Sequence, residues 1–234
     1  MAAIKSLTDK TKLTIAVLVA FVLWTIMFSP WTAPYVPFWH AMTCSAAILT
    51  GLALLFGGNP MSTILPRLTA RDWLTNIVLG VLIAAALWGV FWVGDKVSQW
   101  MFPSFARPQV NTIYAMKEGS SPVALSLLLL LIIGPAEELF WRGYVQRMMM
   151  KSATGGQQSV ISNQLSATML PTLLAVVLYA IIHIASLNFM LIMAALVCGV
   201  VWGGLYWLFP NRLPALVISH ALWDAAVFVW FPIS

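Results

Sequence analysis

Seven stretches of almost unbroken apolar residues organise this chain, near 13–29, 36–57, 75–94, 122–147, 171–187, 188–209 and 214–232. Most have about the 20 residues that a helix needs to cross a bilayer core. The pattern predicts an all-α fold, a polytopic membrane helix bundle of seven transmembrane helices. The fourth stretch is overlong and contains Gly134-Pro135, which could kink it or split it in two and so raise the count to eight. Composition agrees: of 234 residues, 61% are hydrophobic and 8% charged, and the mean hydropathy is +0.91, far above what one soluble core requires. With no internal repeat and no appended soluble domain, residues 1–234 read as a single integral membrane domain.

The first stretch follows Lys5, Lys10 and Lys12 and so resembles a secretory signal at a glance. It is long, however, and "FSPWTAPY" after it is bulky and proline-rich, which predicts a retained anchor. If the N-terminus is cytoplasmic, seven spans put Lys5, Lys10, Lys12, Arg67, Arg71, Arg142, Arg147, Lys151 and Arg212 on or near the cytoplasmic side. Only Lys96, Arg107 and Lys117 remain outside, as the positive-inside rule demands. The expected location is therefore a plasma membrane of the bacterial inner type, with the lipid bilayer as a permanent partner. The net charge of +5 needs no nucleic-acid partner, because no basic helix or aromatic-basic interleaving accompanies it. Residues 95–121 and 151–170 read as long loops, either plain linkers or lids. Cys44 and Cys198 fall inside apolar stretches and read as small core residues, and the twelve tryptophans as interface and packing residues.

Against this background a few polar groups stand out. "LLLLLIIGPAEELFWRGYVQ" (127–146) inserts Glu137, Glu138 and Arg142 into an apolar run. His183, His220 and Asp224 also lie within apolar stretches, whereas Asp9, Asp72, Asp95 and Glu118 read as tail or loop residues and His40 as an interfacial one. An ionisable group in mid-membrane costs at least about 2.5 kcal/mol, so such groups must face one another or water. Counting along the helices puts His183 near the midplane and the others in the cytoplasmic half, which predicts one shared cavity open to the cytoplasm. Glu138 and Arg142 are four apart and can pair on one face, while Glu137, rotated by about 100°, is free to face the cavity. His220 with Asp224, and Tyr179 with His183, have the same spacing. A carboxylate, two histidines and a second carboxylate on three helices make a candidate catalytic constellation.

"EELFWR", "YAIIH" and "HALWD" occur in this order on successive C-terminal stretches. Together they resemble the CPBP family, the CAAX-type and bacteriocin-processing intramembrane proteases also called Abi proteins, over a core at 122–232. The resemblance implies an intramembrane endopeptidase of the glutamic type, acting on a membrane-associated or lipid-anchored protein or peptide. In it Glu137 with His183 would activate water, His220 and Asp224 would stabilise the oxyanion, and Glu138 and Arg142 would hold the helix. Those roles are chemically coherent, since a carboxylate beside a histidine is a competent base and an oxyanion needs fixed donors in a dry site.

Two positions depart from the family's commonest pattern: Tyr179 stands where Phe is usual, and Asp224 where Asn is usual. An ionised Asp accepts only, so Asp224 is either protonated in its apolar setting, or orients His220, or has another role. No cofactor is expected, although Glu137, His183, His220 and Asp224 are also zinc-ligand types; the HExxH spacing of zinc peptidases is absent. Non-catalytic alternatives are an immunity or binding protein, or a proton-coupled transporter, for which a second repeat is lacking. The residues do not choose among prenylated C-termini, bacteriocin leaders and sorting signals as substrates.

Overall fold

The protein is described as a computed structural model covering residues 7–57, 68–155 and 161–233. Among these residues every regular element is helical: α1 (Asp9–Phe28), α2 (Phe38–Phe56), α3 (Ala70–Met101), a short α4 (Pro103–Ala115), α5 (Pro122–Ala153), α6 (Ile161–Ile181), α7 (Phe189–Leu208) and α8 (Pro210–Trp230). All but α4 supply a segment long and apolar enough to span a bilayer, seven in total. The predicted bundle of seven spanning helices is what is found.

Helix starts follow local chemistry. Thr8, Ser121 and Asn188 each accept an amide N–H of the first turn behind them, and Thr69 forms a capping box with Asp72. Asp72 therefore belongs to the first turn of α3 rather than to a loop. Asp95 is likewise helical and buried, because nothing breaks α3 for 32 residues until Phe102-Pro103. At about 1.5 Å per residue α3 outruns the bilayer core, so the end of its apolar window is not the end of the helix. The rest of the expected 95–121 loop is mostly α4, and the expected 151–170 loop is helical at both ends, with residues 156–160 outside the described part. Lys5 and Arg67 also lie outside it. Cys44 is exposed on the lipid-facing surface rather than packed in the core, whereas Cys198 is buried.

Gly134-Pro135 neither splits nor ends α5. The helix widens instead into π turns at Leu129–Ile133 and Trp141–Gln146, on either side of Gly134–Phe140. The amide of Gly134 reaches back to the Leu129 carbonyl, and the wide turn makes room for a proline that donates no hydrogen bond. Gly134 is also where α5 crosses α8 most closely: a Cβ there would stand 2.7 Å from Ala221 Cα. Two wide turns, one on each side of the glutamates, thus decide which way each one points.

The end of the bundle that carries the N-terminus is closed by polar pairs. Gln146 Nε2 donates to the Gly203 carbonyl at 2.8 Å, Arg147 Nη2 to that of Gly57 at 3.3 Å, and Lys151 meets Asp9 at 3.4 Å. At the distal end α4 lies across the bundle. Trp39 Nε1 donates to Met116 O, Asn188 Nδ2 to Gln109 O and Lys117 Nζ to Phe228 O, so α4 and the turn after it are tied to α2, α7 and α8.

Candidate active site at the distal end of the bundle

Beneath α4 lies a cavity of about 490 Å³, reached by the distal parts of α1, α2, α3, α5, α6, α7 and α8. Glu137, Tyr179, His183, His220 and Asp224 all line it, whereas Glu138 and Arg142 do not. The chain thus brings together, on α5, α6 and α8, the side chains that the sequence singles out.

Depth is where expectation and structure part. His183 is not at mid-span but just beyond Ile181, where α6 ends and a short 3-10 turn, Ile184–Ser186, begins. Glu137 is near the middle of α5, because that helix continues to Ala153 rather than stopping at 147. The cavity therefore extends from mid-bundle toward the end opposite the N-terminus. A cytoplasmic N-terminus and a cavity open to the cytoplasm, both expected, exclude one another in a seven-span chain. The apolar windows stop short of the helix ends on the N-terminal side, which moves every polar group too close to that side.

Glu137 is 8% exposed, and one of its oxygens is engaged: the Tyr179 hydroxyl donates to Oε2 at 3.2 Å. The Tyr-for-Phe departure thus supplies a hydrogen bond to the candidate base. Tyr179 also carries His183, whose Nδ1 lies 2.9 Å from the Tyr179 carbonyl oxygen. That carbonyl can only accept, so Nδ1 holds the proton and Nε2 has the free lone pair. Trp24 Nε1 donates to this Nε2 at 3.1 Å, and Phe28 packs against the ring at 5.5 Å.

Glu138 is fully buried and does more than the expected ion pair. Its Oε1 accepts from Arg142 Nη1 at 2.7 Å and lies 2.9 Å from His220 Nδ1. The guanidinium of Arg142 is further packed between rings, 4.6 Å from Tyr179 and 5.5 Å from Trp202. His220 stacks on Trp202 at 4.0 Å and 18°, and Trp202 is fixed in turn by donating to Ser219 Oγ at 3.0 Å. With Nδ1 turned to Glu138, His220 presents Nε2 toward Asp224, 3.5 Å from Oδ2. Glu138 is therefore the anchor of His220 as well as of Arg142.

Two residues of this framework carry no signal in the sequence. Trp24 and Trp202, each 0% exposed, look like any apolar-stretch tryptophan until the fold sets them against the two histidines. Among the described residues no group of three or more His, Cys, Asp and Glu side chains is arranged to hold a metal ion. The nitrogens of His183 and the Nδ1 of His220 already have partners.

Glu137, the anchored His220 and Asp224 thus share one cavity inside the helix bundle. Residues 119–226 match the family described as Rce1-like, type II CAAX prenyl endopeptidase Rce1-like, a span running from just before α5 into α8 and including every residue of the Glu–His–His–Asp set. Over this stretch, a little under half of the chain, the protein is similar to the CAAX-type proteases, which supports a peptide hydrolase of that type, and it carries seven helices long and apolar enough to cross a membrane. No curated protein and no solved structure matches it.

Proposed function

We propose that the protein cuts a peptide bond in a membrane-associated protein or peptide by direct attack of water, with Glu137 as the general base. The supporting observation is the division of labour between neighbours: Glu138 is sealed away from the cavity with Oε1 held by Arg142 and His220, while Glu137 lines the cavity with only Oε2 engaged. Its other oxygen accepts the water's proton as the hydroxyl adds to the carbonyl carbon. Tyr179 holds Glu137 in place, and His183, with Nε2 basic, can share that proton once substrate displaces the Trp24 indole. The developing oxyanion is met by a donor at Nε2 of a doubly protonated His220 or at a protonated Asp224, which sit side by side. Glu137 then returns its proton to the leaving amine. No covalent enzyme intermediate and no metal is needed in this scheme.

The test is purified protein in lipid vesicles, given membrane-anchored peptides, with products identified by mass. Internal cleavage that persists after chelation and in metal-free protein supports the scheme. Loss of activity on chelation, restored by zinc, overturns the metal-free part, and no cleavage of any anchored peptide overturns the function.

The side of attack follows from charge. Lys10, Lys12, Arg71, Arg147, Lys151 and Arg212 cluster at the end near the N-terminus, against Lys96, Arg107 and Lys117 at the distal end. This supports a cytoplasmic N-terminus and a cavity in the opposite half of the membrane. In a Cys44→Ser background, Glu118→Cys should react with an impermeant thiol reagent in intact cells and Lys151→Cys only in inverted vesicles; the reverse pattern turns the site to the cytoplasm.

A further inference from the structure

The cavity holds a carboxylate for which the hydrolytic scheme has no role. Asp95 lies one helical turn beyond Phe91 on α3, and Phe91 packs against Trp223, the neighbour of Asp224, with ring centres 4.7 Å apart. Asp95 is 7% exposed and lines the cavity wall. Its Oδ2 is occupied: Gln99 Nε2 donates to it at 2.6 Å, and Lys96 Nζ stands 3.7 Å away. The Lys96 side chain is 48% exposed and so offers a solvent-screened partner. Gln99 is itself held through its carbonyl by Arg107. The second oxygen, Oδ1, is buried with no partner, as is Oε2 of Glu138, but of these two carboxylates only Asp95 lines the cavity.

A buried carboxylate oxygen without a donor is costly, and native structures rarely keep one unless something completes it. The surroundings point to what that is. Around Asp95 the wall is apolar, with Val97, Met101, Phe102 and Phe105 nearby in the chain, and over the whole cavity the charged lining consists of three carboxylates and two histidines, with no lysine or arginine. Asp95 also acts on Tyr114 of α4, whose hydroxyl is pushed up mainly by burial and additionally by this carboxylate. Of the cations at this end, Lys96 is half-exposed and stands by Oδ2, Arg107 is turned to Gln99 and Lys117 to the Phe228 carbonyl, so none of them partners Asp95 Oδ1.

We propose that Asp95 is a specificity-determining residue that receives a lysine or arginine side chain of the substrate. From the Asp224 level, one helical turn along α3 plus the width of a ring contact is about 10 Å, or about three extended residues. The basic residue should therefore lie two to three positions from the bond that is cut. The inference rests on the peptidase reading of Glu137.

The experiment measures binding, so it does not depend on turnover. Glu137→Gln protein in nanodiscs of zwitterionic lipid is titrated with dansylated, end-capped apolar decapeptides in which a single Lys, Gln or Glu is moved along the chain. One register is expected in which Lys binds about tenfold tighter than Gln, and Glu weaker than both. Adding Asp95→Asn should bring the Lys-to-Gln ratio to about one. Adding Asp95→Lys should reverse the order so that Glu binds best, a gain that a misfolded variant cannot show. Equal binding of Lys and Gln peptides with Asp95 intact, or a Lys preference that survives Asp95→Asn, overturns the proposal. Failure of the wild type to cut any anchored peptide would instead remove the peptidase reading, and the binding ratios would still judge Asp95.

Discussion

Two faces of one helix, one residue apart, are built on opposite principles. On the packed face of α5, Glu138 is sealed at 0% exposure and shares one oxygen between Arg142 and His220, with Trp202 and Tyr179 stacked around the charges. On the cavity face, Glu137 has a single tyrosine partner and open space. The difference teaches how a membrane protein can keep a reactive carboxylate: it ties one oxygen of the neighbour to both Arg142 and His220, which fixes the rotation of the helix, and leaves the other glutamate facing the cavity.

The sharpest way to break the comparison is Glu137→Gln. If only the cavity face does chemistry, cleavage should fall by the 10²–10⁴-fold typical of a lost general base, with thermal stability in detergent close to wild type. Near-full turnover would reassign the base. Asp224 tests the other wall. Asp224→Ala should cost on the order of a hundredfold in kcat, as removal of one oxyanion donor does. Asp224→Asn keeps a donor that holds at every pH, so it should retain activity and extend it to higher pH, whereas a carboxyl that must be protonated to donate loses that ability as pH rises. A dead Asn variant would favour an ionised Asp224 that orients His220.

Glu138→Gln sharpens the contrast from the packed side. It leaves Arg142 without its buried partner and loosens His220, so a stability loss of about 3 kcal/mol should come together with reduced kcat. Reduced activity at unchanged stability would make Glu138 a member of the reacting set rather than its support. The smallest effects are expected at the hydrogen bonds that tune the two faces. Tyr179→Phe removes the bond to Glu137 and Trp24→Phe the bond to His183; each should change kcat/KM by a factor of roughly 5, about 1 kcal/mol. A far larger loss in Trp24→Phe would mean that the indole stays on His183 through the reaction instead of leaving.

Much of this architecture is legible in the amino-acid sequence alone. Hydropathy gives the seven spanning segments because the requirement for each, about 20 apolar residues, is met within the segment itself. The separation of Glu137 from Glu138, the Glu138–Arg142 pair and the adjacency of His220 and Asp224 follow from helical spacing, which is equally local. Contacts between distant segments settle the rest. Trp24 reaches His183 across 159 positions, and Glu138 reaches His220 across 82. No spacing rule connects such residues. The helices' true lengths are also hidden in the sequence, since α3 and α5 run on past their apolar windows under no penalty until a proline or a turn stops them. That is why the cavity lies toward the end opposite the one that counting from the window ends suggests. Composition and periodicity therefore determine that this chain is a membrane helix bundle carrying a buried Glu–His–His–Asp set. The packing of the helices against one another decides which glutamate is free, which tryptophans hold the histidines, and where the site opens, because burial and hydrogen bonding across helices depend on rotations and depths that no single segment encodes.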